Sequence, residues 1–296
     1  MNPSRGTVVV TGATGFLGAA CCRHLTDAGY DIRALVRDPD GAASVAAVAR
    51  GGIFQGMLPD RIDERVFAGR VDAVVHCAFT TRGTDMAQDF EANLTGTEQL
   101  LALARRHGVG RFVFISSLTA TPAAESFYAR SKRHAEQMLD PRQDLVIRPG
   151  LIIGHSGLFE RMRHSVAALP LVPLFYGGRQ QIQTVWIDDV CSAIEHGIHR
   201  HLAGAFGVAA PAGVPIRHFY REIAALAGRR CRFVRLPGPA MVAALRLAER
   251  FRVSLPISSD NVLGLKHMHV WPLADDLRTL DIAPLTFAES LARLTA

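Results

Sequence analysis

Tyr128 and Lys132 stand at i and i+4 in Tyr128-Ala129-Arg130-Ser131-Lys132. On a helix that spacing puts both side chains on one face. A tyrosine hydroxyl titrates near ~10 and is a poor base at neutral pH. An ammonium beside it favours the phenolate and lowers that value. The phenol can then move a proton on a hydroxyl or carbonyl while a hydride passes to or from a nicotinamide. Lysine suits this better than arginine, because a compact ammonium also donates to ribose hydroxyls. The chain carries 33 Lys and Arg residues, and only Lys132 and Lys266 are lysines. A lysine here therefore reads as a chemical requirement. The bland alternative is a half-buried tyrosine next to a solvated lysine. A third group, a hydroxyl that bonds the substrate oxygen, completes the chemistry. The run Phe112-Val113-Phe114-Ile115 ends in Ser116-Ser117, and the end of a parallel strand faces the ligand crevice. Ser117 is the first choice, with Ser116 and Thr119 as alternatives.

The cofactor signal is Thr11-Gly12-Ala13-Thr14-Gly15-Phe16-Leu17-Gly18, between the apolar run Thr7–Thr11 and a helix-periodic segment, Gly15–Ala28. Gly12 permits a tight turn, Gly15 lets the backbone approach a pyrophosphate, and Gly18 allows close helix-to-strand packing. The phosphates then face the free N–H groups and positive end of the helix. A lone glycine pattern is equally a surface turn; the strand before and the helix after make it a dinucleotide-binding turn. No Gly-Lys-Ser/Thr follows, which excludes a triphosphatase phosphate loop. The second strand ends Val36-Arg37-Asp38. An arginine here accepts the 2′-phosphate of NADP, and a carboxylate binds the 2′-hydroxyl of NAD. Arg37 favours NADP, and Asp38 keeps NAD open.

These residues need a frame that brings them together. Strand candidates at Thr7–Thr11, Asp31–Val36, Gly52–Gln55, Asp72–Cys77, Arg111–Ser116 and Asp144–Arg148 alternate with helices. The helices are expected at Gly15–Ala28, Ala42–Arg50, Ile62–Ala68, Asp85–His107 and Ser126–Leu139. That order predicts an α/β fold, a doubly wound parallel Rossmann sheet with helices on both faces. After Pro149 the pattern changes. Helices are expected at Gly157–Ala168, Asp188–His199, Ile216–Gly228, Pro239–Phe251 and Thr286–Leu294. Short strands are expected at Gln183–Ile187, Ala205–Ala209 and Arg232–Leu236. Residues 1–150 thus read as the dinucleotide-binding domain, and 151–296 as a smaller C-terminal substrate-binding region.

Further stretches follow in a telling order: His76-Cys77-Ala78, Asn93-Leu94-Thr95-Gly96-Thr97, Arg148-Pro149-Gly150 and Val185-Trp186-Ile187-Asp188-Asp189-Val190. With the glycine turn, the serines and the Tyr–Lys pair, the chain resembles the extended or atypical short-chain dehydrogenase/reductases, the NAD-dependent epimerase/dehydratase family. The resemblance is dense to about residue 195. It implies Ser117, Tyr128 and Lys132 as a catalytic triad, and Asn93 as the residue that kinks a long helix and holds a water near the lysine. It also implies Met57 and Leu58 beside adenine, Cys77 and Ala78 beside ribose and nicotinamide, and Pro149 and Gly150 as the turn past the nicotinamide. Asp188 is expected as a helix cap.

Three departures shape the substrate expectation. Gly56-Met57-Leu58 lacks the family's acidic residue for adenine. Only 11 positions separate Ser117 from Tyr128, which shortens the loop that shapes a sugar pocket. Ile182 stands where nucleotide-sugar enzymes place an arginine, and Arg179 is out of register. The expectation is an NAD(P)-dependent oxidoreductase of small or hydrophobic carbonyl and alcohol compounds. A sugar-nucleotide epimerase/dehydratase and a non-catalytic NADP(H)-binding protein are the alternatives.

Composition limits the rest. With 33 basic and 27 acidic residues the net charge is +6, and the arginines are scattered rather than clustered, which argues against nucleic acid. Hydrophobic residues at 49% and charged residues at 20% fit an ordinary globular protein. The cysteines Cys21, Cys22, Cys77, Cys191 and Cys231 lack zinc spacing and read as small buried residues in a reducing compartment. His196, His199 and His201 read as a helix C-terminus, and His267 and His269 as a short strand; no metal is expected. No apolar run is long enough to span a bilayer. We expect a cytoplasmic protein with a small-molecule substrate; a homodimer stays open.

Overall fold

The computed structural model describes residues 4–80, 86–169, 171–251, 258–266 and 268–295. Its first half runs β1 (Thr7–Thr11), α1 (Phe16–Asp27), β2 (Asp31–Val36), α2 (Ala43–Ala46), β3 (Gly52–Met57), β4 (Arg61–Ile62), β5 (Ala73–His76), α3 (Met86–Arg106), β6 (Arg111–Ile115), α4 (Phe127–Glu136) and β7 (Leu145–Pro149). The second half runs β8 (Leu151–Ile153), α5 (Gly157–Ala168), β9 (Val172–Phe175), β10 (Gln181–Ile182), β11 (Thr184–Trp186), α6 (Ile187–His199), β12 (Gly204–Val208) and β13 (Val214–Pro215). It continues with α7 (Ile216–Ala225), β14 (Phe233–Leu236), α8 (Gly238–Arg250), α9 (Ser259–Lys266), α10 (Ala274–Leu280) and α11 (Phe287–Thr295).

Eight strands form one sheet in the order β12-β7-β6-β5-β1-β2-β3-β4. Neighbours are parallel except β4, which returns antiparallel to β3. The order reverses beside β1, which lies between β2 and β5. In such sheets the ligand crevice opens at that reversal, past the strands' C-terminal ends. Side chains alternate across the sheet as a two-residue period requires. On one face Val8, Val10, Ile32, Val113 and Ile147 pack with Cys21 and Leu25 of α1 and Val190 and Ile194 of α6. On the other, Val9, Leu35, Val74, Phe112 and Phe114 pack with Leu100 and Ala104 of α3.

The expected helix over 42–50 shrinks to the four residues of α2. A short helix nucleates poorly, and Val45 is the one buried residue within α2. The expected helix over 62–68 is instead β4 followed by a 3₁₀ turn, Glu64–Phe67, which the Asp63 side chain caps by accepting the Arg65 amide. In the second half the strands expected at Gln183–Ile187 and Arg232–Leu236 are β11 and β14, whereas α9, α10 and the short strands β8, β9, β10 and β13 were not expected. The second half is also interleaved with the first. β12 extends the large sheet beside β7, and α6 packs on the same face as α1. Phe159, Phe219 and Phe287 tie α5, α7 and α11 together, with ring centroids 6.2 and 5.3 Å apart. His269 lies in no strand, and His267 is outside the described residues. Among the described residues no helix is long and apolar enough to cross a membrane.

Candidate active site

The glycine turn joins β1 to α1 at the sheet's reversal. Gly12 has φ +61°, and a Cβ there would sit 2.9 Å from both Cα and N of Ala78. Glycine is thus required twice, by conformation and by space. A Cβ on Gly18 would strike the Gly12 carbonyl oxygen, so this glycine packs the helix on the turn itself. Thr14 and Gly15 are exposed. Gly15 is the N-cap of α1, no side chain caps the helix, and its first turn holds no acid. The N-terminal amides and their positive dipole end therefore suit an anion. This cradle fits a dinucleotide pyrophosphate. Phe16, partly buried, seats its ring where a Cβ on Gly154 or Gly157 would stand. The turn borders a cleft of about 440 Å³ lined by Thr14, Gly15, Phe16, His155, Trp186 and Asp188. Asp188 is not the expected cap: Trp186 holds the N-cap position, and Asp188 Oδ2 accepts the Trp186 indole N–H at 2.9 Å.

A buried relay fixes the segment facing the turn. The Thr97 hydroxyl donates to the Asn93 carbonyl (2.7 Å), so its oxygen accepts from His76 Nε2 (3.1 Å). The other ring nitrogen, Nδ1, then carries the lone pair and accepts the Thr11 hydroxyl (2.8 Å). The Thr11 oxygen in turn accepts the Ala78 N–H (3.1 Å). Every group is satisfied by one neutral tautomer. Burial, helped by the Lys132 charge, pushes the His76 pKa down from 6.5 to about 3. The unfolded chain thus takes up a proton that the folded one refuses. Stability from this group is full above about pH 6.5 and is lost as pH falls toward about 3. The slope reaches about 1.4 kcal/mol per pH unit. Denaturation midpoints of the parent should fall more steeply with acid than those of His76→Asn; parallel curves would refute the neutral assignment.

Asn93, on α3, spends its amide on one backbone residue. Oδ1 accepts Thr80 N–H (2.7 Å), and Nδ2 donates to Thr80 O (2.8 Å). It anchors the loop past β5, and α3 runs unbroken through it.

α4 presents the tyrosine and lysine. Its start is capped by Ser126 Oγ, which accepts Ala129 N–H at 3.2 Å. Asp260 of α9 accepts Phe127 N–H at 2.5 Å and reaches Tyr128 N at 3.5 Å. Burial raises the Asp260 pKa, and these backbone bonds oppose the rise. Ser116 is buried, and its hydroxyl has no partner among the described residues. Ser117 is partly exposed: its hydroxyl lies 2.9 Å from that of Thr119 and accepts Thr119 N–H. Tyr128 is 36% exposed. Burial at its phenol end pushes its pKa to about 12, and Ser117 pulls it back. Lys132 is 4% exposed. Its Nζ donates to the Ile115 carbonyl at 2.6 Å and lies 3.5 Å from the Phe79 ring centroid. Burial pushes its pKa to about 7, while Cys77 and Glu136 favour the charge. The ammonium expected beside the phenol is held by the Phe79 ring and the Ile115 carbonyl.

The remaining residues flank this centre. Arg37 is exposed just past β2, with no side-chain partner among the described residues, and Asp38 turns back to accept the Asp40 amide at 3.1 Å. Met57 is exposed at the end of β3. Leu58 packs against α3 at Gly96. The Pro149 carbonyl accepts Leu118 N–H at 3.1 Å and so ties down the loop that carries Ser117. Gly150 lies against the Gln183 carbonyl with no room for a Cβ. Cys21, Cys22 and Cys191 are buried as expected, but Cys77 and Cys231 are partly exposed. Phe79 and Asp260 escaped sequence reasoning. Phe79 directly follows His76-Cys77-Ala78, a faint signal. Asp260 in the first turn of a short helix carries no mark of its role at α4.

Fold and site together define a dinucleotide-dependent enzyme with a parallel Rossmann-type sheet. The chain belongs to the NAD dependent epimerase/dehydratase family, whose sequence profile matches residues 8–205. It is similar to a 2-alkyl-3-oxoalkanoate reductase of Stenotrophomonas maltophilia, 29% identical over 216 residues. That match spans 63% of each chain, so just under two thirds of this relative is covered. It is also similar to a ceramide reductase of Caulobacter vibrioides, 27% identical, over 88% of this chain and 83% of the relative. The structure of gox2253 shares the fold, with TM-score 0.78 at 20% identity, covering 98% of this chain and 97% of that one. So does a UDP-glucose 4-epimerase of Stenotrophomonas maltophila with bound NAD, with TM-score 0.73 at 20% identity and the same coverage.

Proposed function

We propose that the protein is an NADP(H)-preferring reductase of apolar carbonyl compounds, with Ser117, Tyr128 and Lys132 as its catalytic groups. One observation carries this reading. Lys132 Nζ reaches the carbonyl of Ile115, two residues before Ser117 at the end of β6, and stands one helical turn from Tyr128, at the sheet end that holds the glycine turn. The nicotinamide, when bound, supplies the hydride donor or acceptor. Gly12, Thr14, Gly15, Phe16, Leu17 and Gly18 would hold the pyrophosphate, and Arg37 the 2′-phosphate. Met57 and Leu58 would flank adenine, Cys77 and Ala78 the ribose, and Pro149 and Gly150 the far side of the nicotinamide. Lys132 Nζ would donate to ribose hydroxyls. Ser117 Oγ donates to the substrate oxygen and holds it against Tyr128. The Tyr128 hydroxyl gives its proton to that oxygen as the carbonyl becomes an alcohol. The phenol is protonated at neutral pH, the form that carbonyl reduction needs.

Two features favour an apolar substrate. Phe79 edges Tyr128 at 6.3 Å, and the family resemblance aligns Ile182, buried here, with the cation of nucleotide-sugar enzymes. The two reductase relatives are named for substrates with alkyl chains. The test is NADPH oxidation, followed optically, with 2-alkyl-3-oxoalkanoates, long-chain ketones and UDP-sugars. Turnover of the alkyl ketones is expected. Turnover of a UDP-sugar alone, or tight NADPH binding with no turnover of any carbonyl, would replace this reading.

A further inference from the structure

We infer that Phe79 is a positioning residue of the Tyr128–Lys132 pair: its ring face seats the lysine ammonium and its edge braces the tyrosine. The inference rests on the reading of that pair given above. Lys132 Nζ lies 3.5 Å from the Phe79 centroid and 4.8 Å from that of Phe114. Its hydrogen-bond acceptor is the Ile115 carbonyl. An aromatic face this close offers its negative quadrupole to the cation. The same ring meets Tyr128 edge-on, with centroids 6.3 Å apart and planes at 90°. One side chain thus touches both partners.

Phe79 is itself held from both sides. The Ala78 amide before it is bonded by Thr11, and the Thr80 backbone after it is bonded twice by Asn93. The ring therefore stands at a set point between β1 and α3. What it opposes is the loss of charge that burial imposes on the ammonium. Other groups also face Lys132. Glu136, one turn along α4, is already shared with Arg148 of β7 at 2.9 and 2.6 Å. His76 of β5 is neutral. Cys77, past β5, favours the charge from the same loop as Phe79. Tyr128, one turn before Lys132 on α4, meets the same Phe79 ring at its edge. A charged Lys132 attracts ribose hydroxyls and supports a phenolate; a neutral one does neither.

The two-lysine composition makes this directly measurable. Protein labelled with ¹³Cε-lysine gives signals from Lys132 and Lys266 alone, and Lys266→Arg identifies which is which. The Lys132 titration midpoint is read in protein stripped of dinucleotide, in the parent and in two altered forms. Pentafluorophenylalanine at position 79 keeps the ring's shape and reverses the sign of its face. Phe79→Leu keeps an apolar side chain and removes the face. The fluorinated ring is expected to lower the midpoint by about one pH unit, the size of a desolvated cation–π contact. Phe79→Leu should move it the same way. An unchanged midpoint in the fluorinated protein would overturn the inference, since a purely structural ring would not sense the exchange. The readout needs no substrate. If the reductase reading fails, turnover is absent while the midpoint still moves; if the Phe79 inference fails, turnover persists and the midpoint stays.

Discussion

Tyr128→Phe is expected to lower turnover by about 10²–10⁴-fold, the usual contribution of a positioned acid–base group. The change removes one hydroxyl and keeps the ring that Phe79 meets edge-on. Packing and NADPH affinity should therefore stay close to the parent's. Steady-state rates on a ketone that the parent reduces, with NADPH binding measured alongside, give the result. The pH dependence follows from the shift. Burial raises the phenol's pKa and Ser117 lowers it. Carbonyl reduction needs the protonated phenol, which a raised pKa preserves across the neutral range. Alcohol oxidation needs the phenolate, so its rate should climb as pH rises. That climb should disappear in Tyr128→Phe. In Ser117→Ala it should move to higher pH, because the hydroxyl that eases ionisation is gone. Full activity in Tyr128→Phe would remove the tyrosine from the chemistry.

The second large effect concerns cofactor choice. Arg37→Ala should weaken NADPH binding by about 1.5–3 kcal/mol, the scale of a hydrogen bond between charged groups. That is a loss of roughly ten- to a hundredfold. NADH affinity should change little. The physical ground is the contrast between neighbours: the Arg37 guanidinium is exposed and unpaired among the described residues, while the Asp38 carboxylate is turned onto the Asp40 amide. A carboxylate used locally is a poor receiver for a ribose 2′-hydroxyl. Titration of both dinucleotides by fluorescence tests this, and equal affinities in the parent would end the NADP assignment.

Several features were legible in the chain because they are local. The glycine spacing after an apolar run, the i, i+4 placement of Tyr128 and Lys132, and the alternation of strand and helix all lie within a few residues of one another. Steric and periodic rules act on that scale. The parallel sheet and the turn at β1–α1 followed from them. So did the residues at the sheet's C-terminal end, since parallel strands carry their ends to one edge.

Tertiary structure decided what those rules do not reach. It buried the Ser116 hydroxyl and set the Ser117 hydroxyl beside that of Thr119. It set the start of α4 with Asp260, bonded to Phe127 across 133 positions of chain. It brought the loop past β5 over Lys132, so that Phe79 and Ile115 rather than the phenol hold the ammonium. It fixed the His76 tautomer through hydroxyls from β1 and α3. It paired short segments of the second half, such as β10 with β13, two residues on each. Strands that short have no period to read, and a contact between distant segments leaves no local pattern. Each depends on which surfaces meet once the sheet has closed on its helices, and that is a property of packing.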